Sequence, residues 1–290
     1  MRVTVLGCGG STGVPAIGGH DGAGDWGCCD PSEERNRRTR ASIVIEAASG
    51  ERLLVDTAPD MRMQLLACRV PSIDAILFTH AHADHITGLD DVRVLNRIID
   101  RPLDAFGTKA TLDEITGRFE YAFRPWQPPG FFRPVLVQHH VGAEDTVIAA
   151  GLHVRLFSQD HGFVRSLGLR VGAFGYSTDV VTLDETAFAA LEGIDTWLVA
   201  CFQRAPHSTH AHLARVLEWT GRVRARRTVL THMGTDLDWA WMRANLPAGV
   251  EAASTAWCLR WRAKSDSELQ HNLPLDRERQ RLPLIVVRQC

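Results

Sequence analysis

Short apolar runs bounded by turn-forming residues recur along most of the chain. Several have the length and the β-branched or aromatic content that are typical of strands. The segments predicted as strands are residues 2–6, 42–46, 53–55, 75–78, 152–157, 167–171, 197–200 and 228–230.

Apolar residues at helical spacing alternate with these strands, mainly in the second half of the chain. The segments predicted as helices are residues 89–99, 112–119, 185–191, 212–219 and 237–246. Thr182 and Asp184 are candidate caps for the helix at 185–191, because their side-chain oxygens can accept a hydrogen bond from its first turn. The mixture of short strands and helices predicts an α/β sandwich.

A single domain is predicted over residues 1–262. The Pro- and Gly-rich stretch 125–134 has the composition of a loop inside this domain. Beyond residue 262 the pattern changes to a polar segment, a charge run and a short apolar stretch at 284–287. We predict that residues 263–290 form a loosely attached C-terminal tail, with a late strand that packs on the domain or on a second subunit as the alternative.

Composition and charge narrow the classes of function. The chain has 290 residues, of which 45% are hydrophobic and 23% charged, which is ordinary for a globular protein. Its net charge of −2 gives no general attraction for a nucleic-acid backbone, so nucleic acid is a disfavoured partner. No apolar run is long enough to predict a membrane span. Seven scattered cysteines without an export signal indicate a reducing compartment, so we expect a cytoplasmic protein.

The densest group of metal-ligand side chains follows the apolar run 74–78. His80, His82, Asp84 and His85 place three imidazoles and one carboxylate close together. Imidazole and carboxylate ligate zinc, iron or manganese, and the lack of cysteine among them is typical of open catalytic sites. A turn after a strand can direct the first two histidines to one side and the Asp-His pair to the other, so one loop could serve two ions.

Three further His or Asp residues also follow strand-like apolar runs. His161, Asp179 and His232 each stand within a few residues of the end of such a run. Loops at one end of a sheet converge, and binding sites in layered α/β folds commonly form there. Taken singly, each could equally be a surface or core residue, but as a set they would complete two coordination shells.

The spacing His-x-His-x-Asp-His at 80–85 resembles the signature of the metallo-β-lactamase superfamily. The resemblance covers roughly residues 1–250 and implies a four-layer αββα sandwich that binds two divalent metal ions, with zinc as the first choice and manganese or iron as alternatives. The ligand sets that it implies are His80, His82 and His161 for one metal, Asp84, His85 and His232 for the other, and Asp179 as the bridge.

Three N-terminal stretches narrow the resemblance. The glycine loop 7–15, residues 26–30 and residues 36–42 look like the branch that contains cyclic-phosphate phosphodiesterases of phosphonate breakdown, with the ribonuclease Z type as a near relative. That branch places a histidine near the metals where His210 stands, suited to bind the phosphate or to protonate the leaving oxygen. His207 is the weaker candidate, and either histidine could instead face water beside a helix cap.

Two other features could contact an anion. The glycine loop follows a strand, so its N–H groups could approach a phosphate, but a plain tight turn is an equal alternative. Arg35, Arg37, Arg38 and Arg40 form the densest early basic run. This run either marks a phosphate docking site or is a solvated surface, and the surface interpretation is favoured.

The chain also departs from the phosphonate-breakdown enzymes, which carry an additional zinc site of closely spaced cysteines and a later histidine. Only Cys28 and Cys29 stand at the corresponding place, and adjacent cysteines cannot easily ligate one tetrahedral ion. Thr235 stands where the histidine would be sought. We therefore predict no structural zinc. The end of the fold at 255–258 differs as well, and both departures weaken the substrate assignment more than the fold.

Residues and resemblance together predict a binuclear metal-dependent hydrolase. It would cleave a small or cyclic phosphate ester, a phosphodiester, through a hydroxide that bridges the metals, with Asp84 and His210 as catalytic residues. The alternatives are a tRNA 3′-processing endonuclease of the ribonuclease Z type, a thioester or lactam hydrolase, and a non-catalytic metal-binding protein. A homodimer is left open.

Overall fold

The computed structural model describes residues 1–260, in which strands and helices alternate. The strands are β1 (Arg2–Gly7), β2 (Ser42–Glu46), β3 (Arg52–Val55), β4 (Ala75–Leu77), β5 (Leu103–Gly107), β6 (Leu136–His140), β7 (Thr146–Ala149), β8 (Leu152–Asp160), β9 (Arg165–Val171), β10 (Phe174–Ser177), β11 (Thr196–Ala200), β12 (Arg227–Thr231), β13 (Val250–Ala252) and β14 (Trp257–Arg260). The helices are α1 (Met61–Ala67), α2 (Ala83–Ile86), α3 (Val92–Ile99), α4 (Lys109–Arg118), α5 (Glu120–Phe123), α6 (Glu185–Leu191), α7 (Leu213–Val223) and α8 (Trp239–Asn245).

Within the described residues the strands form two seven-stranded sheets. The first has the order β14-β1-β2-β3-β4-β5-β6 and is antiparallel up to β3 and parallel from β3 onward. The second has the order β13-β12-β11-β10-β9-β8-β7 and is parallel up to β10 and antiparallel from there. Each sheet therefore combines a meander with a set of parallel strands.

Helices cover the outer face of each sheet. Helices α1, α4 and α5 pack on the first sheet, and α6 and α8 pack on the second. The central strands β4, β10 and β11 are buried at every position, as expected for strands covered on both faces. The layers are thus helix, sheet, sheet and helix, which confirms the predicted αββα sandwich.

The predicted strands are all present, with bounds that differ by at most three residues. The predicted helices are present too, although residues 89–91 form a 3-10 turn before α3 and α7 extends to Val223. Asp184 caps α6 by accepting a hydrogen bond from the Ala187 amide at 2.9 Å, whereas Thr182 does not cap it. The stretch 125–134 is a loop between α5 and β6, as predicted.

Residues Met1–Arg260 form one compact unit, and the predicted tail at 263–290 lies outside the described residues. Among the helices of residues 1–260, none has both the length and the apolar character that crossing a bilayer requires.

Candidate metal centre

The loop after β4 carries four of the predicted ligands. The backbone is still extended at His82, where ψ is 151°, and α2 begins at the next residue. His80 and His82 are two positions apart in an extended segment and share a side, whereas Asp84 and His85 stand in the first turn of a helix. The change from extended to helical backbone lets one loop present two sets of donors.

The other three predicted ligands follow strands of the second sheet. His161 follows β8, Asp179 lies two residues after β10, and His232 follows β12. Asp179 and His232 have φ angles of 47° and 52°, in the left-handed region that costs a non-glycine residue about 1–3 kcal/mol. Such conformations persist where the surroundings hold them, and they recur at functional sites.

The seven side chains form two groups that meet at one carboxylate. Within each group the donor atoms lie within 4.8 Å of one another. The groups are His80, His82 and His161, and Asp84, His85, Asp179 and His232. Asp179 Oδ1 lies 3.5 Å from His161 Nε2 and 3.2 Å from His232 Nε2, so this carboxylate stands between the groups. The structure brings all seven predicted ligands together, and their binding of metal stays a prediction.

The donor set fits divalent metal ions. The Nε2 atoms of His80, His85 and His232 are buried and make no hydrogen bond of good geometry, although buried polar atoms in folded proteins nearly always have one, and their near neighbours include Asp179, whose Oδ2 lies 3.0 Å from His85 Nε2. Imidazole nitrogens and carboxylate oxygens without thiolates match zinc, manganese or iron. Three protein donors on a zinc ion leave a fourth position for substrate, as in catalytic sites.

The ionisable groups hold one another in defined charge states. Although burial acts in the opposite direction, Asp179 and Asp56 raise the pKa of His85 well above its usual value. Burial also opposes the effect of His232 and His85 on Asp179, yet these imidazoles hold the pKa of Asp179 well below its usual range. Burial lowers the pKa of His80. Without metal, these interactions therefore favour the ionised form of Asp179 and the protonated form of His85.

Asp56 contacts residues of the centre without belonging to either donor group, and the sequence pattern did not identify it. Its Oδ2 lies 2.7 Å from His85 Nδ1, and its two oxygens accept hydrogen bonds from the Thr79 amide and hydroxyl, each at 2.8 Å. The same hydroxyl lies 3.0 Å from His80 Nδ1. Asp56 thus orients one histidine of each group, as carboxylates behind ligating histidines often do. Its signal in the sequence was an acidic residue directly after the strand-like run 53–55.

His210 lies at the centre, whereas His207 stands farther out. His210 Nδ1 is 3.8 Å from Asp179 Oδ1, and its ring stacks on His232 with centroids 5.0 Å apart. Burial and the neighbouring His232 lower the pKa of His210 to about 3, so its ring is neutral at pH 7. His207 Nδ1 instead accepts a hydrogen bond from the Thr209 amide. Of these two histidines, only His210 is thus placed to contact a substrate bound at the centre.

A cavity of about 270 Å³ opens over the predicted ligands. It is lined by Ser11, His82, Asp84, His161, Phe163, Asp179, Thr209 and His210. A larger cavity of about 480 Å³ lies between Trp239 and Trp257, and none of the donor groups reaches it. The chemistry of the lining, rather than the volume, identifies the smaller cavity as the candidate site.

Most glycine amides of the glycine loop already donate hydrogen bonds within the protein, so they are not free to bind an anion. The amides of Gly9, Gly10 and Gly13 donate to backbone carbonyls at 2.7–3.0 Å. These bonds favour the tight-turn interpretation for the three glycines. Ser11 alone of this loop lines the cavity.

The arginine run forms separate internal contacts. Arg38 is only 2% exposed and donates hydrogen bonds to the carbonyl oxygens of Gly234 and Leu237, so it is neither a solvated residue nor a phosphate ligand. The other three contact side chains: Arg35 pairs with Glu33, Arg40 pairs with Asp60, and Arg37 lies over Trp26. None of the four arginines lines the smaller cavity over the predicted ligands.

Thr235, which stands where the additional zinc site would need a histidine, contacts the adjacent cysteines Cys28 and Cys29. Its carbonyl oxygen accepts a hydrogen bond from the Cys28 amide at 2.9 Å and one from the Cys29 thiol at 3.4 Å. Burial raises the pKa of the Cys29 thiol, which disfavours the thiolate that metal binding requires.

The chain resembles known proteins at the level of a family and of individual relatives. Residues 51–233, more than half of the chain, match the family described as Beta-lactamase superfamily domain. A curated relative, the octanoyltransferase of Porphyromonas gingivalis, is 31% identical over 234 residues, which cover 80% of this chain and 46% of that protein. The chain therefore spans less than half of that relative.

Two solved structures share the fold over most of this chain. A diphosphatase from the PhnP family has a TM-score of 0.80 and 31% identity, covering 90% of this chain and 98% of its own. The Zn²⁺-bound PqqB of Methylobacterium extorquens has a TM-score of 0.72 at 18% identity, covering 90% and 100%, and is alike in fold alone. The chain thus belongs to the beta-lactamase superfamily, with the metallo-β-lactamase fold, and it lies near the PhnP branch.

Proposed function

We propose that the chain is a binuclear metal-dependent hydrolase of a small or cyclic phosphodiester. The observation that supports this most directly is the pair of donor groups that meet at Asp179 beneath a cavity. Zinc is the first choice of metal, and manganese and iron are alternatives because they accept the same donors. The ligands would be His80, His82 and His161 for one ion, and Asp84, His85 and His232 for the other, with Asp179 shared.

Two divalent ions at these positions would make a nucleophile from water available near neutral pH and would neutralise charge on the phosphoryl oxygens. His210 faces the same cavity, and as a neutral imidazole it keeps one N–H for a hydrogen bond to a phosphoryl or leaving oxygen. A group with so low a pKa is seldom protonated at pH 7. We therefore assign hydrogen bonding to His210 rather than proton donation.

The charge of the cavity favours a diester. Among the described residues that line it, none is a lysine or an arginine. The two ions would balance the single negative charge of a diester, and the neutral His210 could donate a hydrogen bond to it, whereas a monoester or a diphosphate brings additional negative charge that no lysine or arginine of this lining would pair. The absence of flanking basic residues in the lining also disfavours a long polyanion such as tRNA.

Hydrolysis of a diphosphate is the second candidate. It is favoured by the likeness to the PhnP-family diphosphatase, which at 31% identity extends over 98% of that chain. The two candidates differ in the bond that is broken, P–O–C in the ester and P–O–P in the diphosphate, so the products distinguish them.

The deciding experiment is hydrolysis by protein of measured metal content. The substrates are bis(p-nitrophenyl) phosphate, a ribose phosphate with a five-membered cyclic diester, and a nucleotide diphosphate ester. We expect two metals per chain, cleavage of the diesters, weak dependence of the rate on salt, and loss of both metal and cleavage in Asp179→Ala. Asp104→Ala is the control, because this exposed carboxylate pairs with His139 and belongs to none of the donor groups.

Each alternative has its own outcome in the same experiment. Cleavage of the diphosphate alone would favour the second candidate. A steep fall of the rate with salt would favour a nuclease. Bound metal without cleavage of any of the three would contradict the proposal and favour a thioester or lactam hydrolase, or a non-catalytic protein.

A further inference from the structure

We propose that Phe163 contacts the organic group of the substrate and selects esters that carry an aromatic ring, such as an aryl or nucleobase group; this rests on the proposed function. The side chain of Phe163 is 94% exposed. A single exposed ring elsewhere on the surface would need no explanation. This one lines the cavity together with Asp84 and His210, and that position carries the inference.

The turn that bears Phe163 is fixed by the metal centre itself. The His161 amide donates to the Val164 carbonyl at 3.0 Å, which closes a turn with Gly162 and Phe163 at its tip. Gly162 has a φ of 79°, and a Cβ there would meet the Thr209 side chain at 2.8 Å, so the turn packs directly on that residue. The Thr209 carbonyl in turn lies 2.8 Å from His161 Nδ1.

These contacts give the backbone at Phe163 a defined position relative to the predicted ligands. The residues that pack against the turn also orient His161, so this backbone cannot move far without disturbing that imidazole. A turn held in this way need not be reordered when a ligand covers it, and such preorganisation of the backbone strengthens binding.

The polarity of the lining residues indicates which of them contact the phosphate and which contact the organic group. The lining residues other than Phe163 are polar or ionisable, and they match the phosphate. Phe163 is the apolar contribution, and it matches the organic group. Aromatic pairs prefer offset or edge-to-face contacts, which strengthen binding beyond the burial of area by roughly threefold to tenfold.

The test is binding of two stable phosphonates to the zinc-loaded full chain, measured by titration calorimetry. Benzylphosphonate and methylphosphonate share the same anionic group and differ in the ring. We expect the wild type to bind benzylphosphonate about threefold to tenfold more tightly, Phe163→Ala to lose this preference, and Phe163→Trp to keep it. Phe132→Ala is the matched control, because Phe132 is 80% exposed and does not line the cavity.

A preference that is absent in the wild type, or that persists in Phe163→Ala, would overturn the inference. Cleavage of bis(p-nitrophenyl) phosphate, followed in parallel, separates this result from the proposed function. Cleavage without a ring preference contradicts the role of Phe163 alone. A preference that depends on Phe163 without cleavage of any ester contradicts the phosphodiesterase and leaves the role of Phe163 in ligand selection supported.

Discussion

Loop 79–85 and the arginine run 35–40 are both dense clusters of polar side chains, and the fold uses them in opposite ways. In the loop, imidazoles and a carboxylate converge, and buried nitrogens such as His80 Nε2 and His85 Nε2 are left without hydrogen bonds. In the run, each guanidinium turns to a different partner, and Arg38 is enclosed by backbone carbonyls.

This comparison separates two meanings of a polar cluster. Convergence of donors on one another, with several buried ring nitrogens left without a hydrogen bond, indicates a site for a ligand, because leaving buried polar atoms unpaired costs about 1–3 kcal/mol each. Divergence toward internal partners indicates a structural role. Density along the chain is common to both clusters and distinguishes neither.

The largest effect is expected when a donor is removed from the converging cluster in loop 79–85. Asp84→Ala removes a donor of one group, so we expect kcat/KM for bis(p-nitrophenyl) phosphate to fall by about 10³-fold or more. Metal analysis should show fewer ions per chain, and circular dichroism should show an unchanged fold. Wild-type turnover in this variant would remove the distinction between the two clusters.

The next effect concerns stability on the diverging side. Arg38→Met leaves the carbonyls of Gly234 and Leu237 without their donor in the interior, so we expect the free energy of unfolding in urea to fall by about 3 kcal/mol. Arg37→Met, which removes an exposed guanidinium over Trp26, should lower it by less than about 1 kcal/mol. Equal effects of the two substitutions would contradict the assigned structural role.

Asp56 belongs to the converging side, although it is not among the donors. Asp56→Asn weakens the orientation of His85 and of Thr79, so we expect metal affinity to fall about 10–100-fold. Asp104→Asn changes a similar Asp–His pair at the surface and should leave the affinity unchanged. Affinity is measured by competition with a chelating dye. An unaltered affinity in Asp56→Asn would mean that the pair only stabilises the fold.

The smallest predicted effect is the release of a proton when metal binds. His85 has a raised pKa without metal, and a metal ligand must be neutral, so binding should release about one proton per chain. The affinity should therefore rise with pH, about tenfold per unit below the pKa of His85, and level off above it. Calorimetry in two buffers of different ionisation enthalpy measures the proton directly. Binding without proton release would contradict the cationic state assigned to His85.

Buried strands give the clearest apolar runs, although β10, which is buried at every position and contains Gly175, is not among the predicted strands. Strand β11 is buried at every position and is identified from its apolar run, whereas the edge strand β7 is mostly exposed or half-buried and is missed. Helix α1 is missed because Met63 and Leu66 are exposed, so its apolar positions do not follow one face. Strand β13 has three residues, and Glu251 in its middle interrupts the apolar run, so the strand is missed.

The convergence of the candidate donors was predictable because these residues are chemically rare and follow strand ends. The motif at 80–85, with His161, Asp179 and His232, is identified from residue type and position alone. Asp56 and Phe163 were missed for different reasons. Acidic residues after strands are common, and an exposed phenylalanine in a turn carries no chemical signal until the fold places it over the donors.

The donors of each predicted ion come from both sheets, and this has a mechanical consequence. His82 follows a strand of the first sheet and His161 a strand of the second, 79 positions later, yet His161 Nε2 lies 3.2 Å from His82 Nδ1. An ion held by both would be a removable cross-link that closes a long stretch of chain, in the manner of a disulfide. Chelation would then open the seam between the sheets before it unravels either one, and proteases would cut first at loops along that seam.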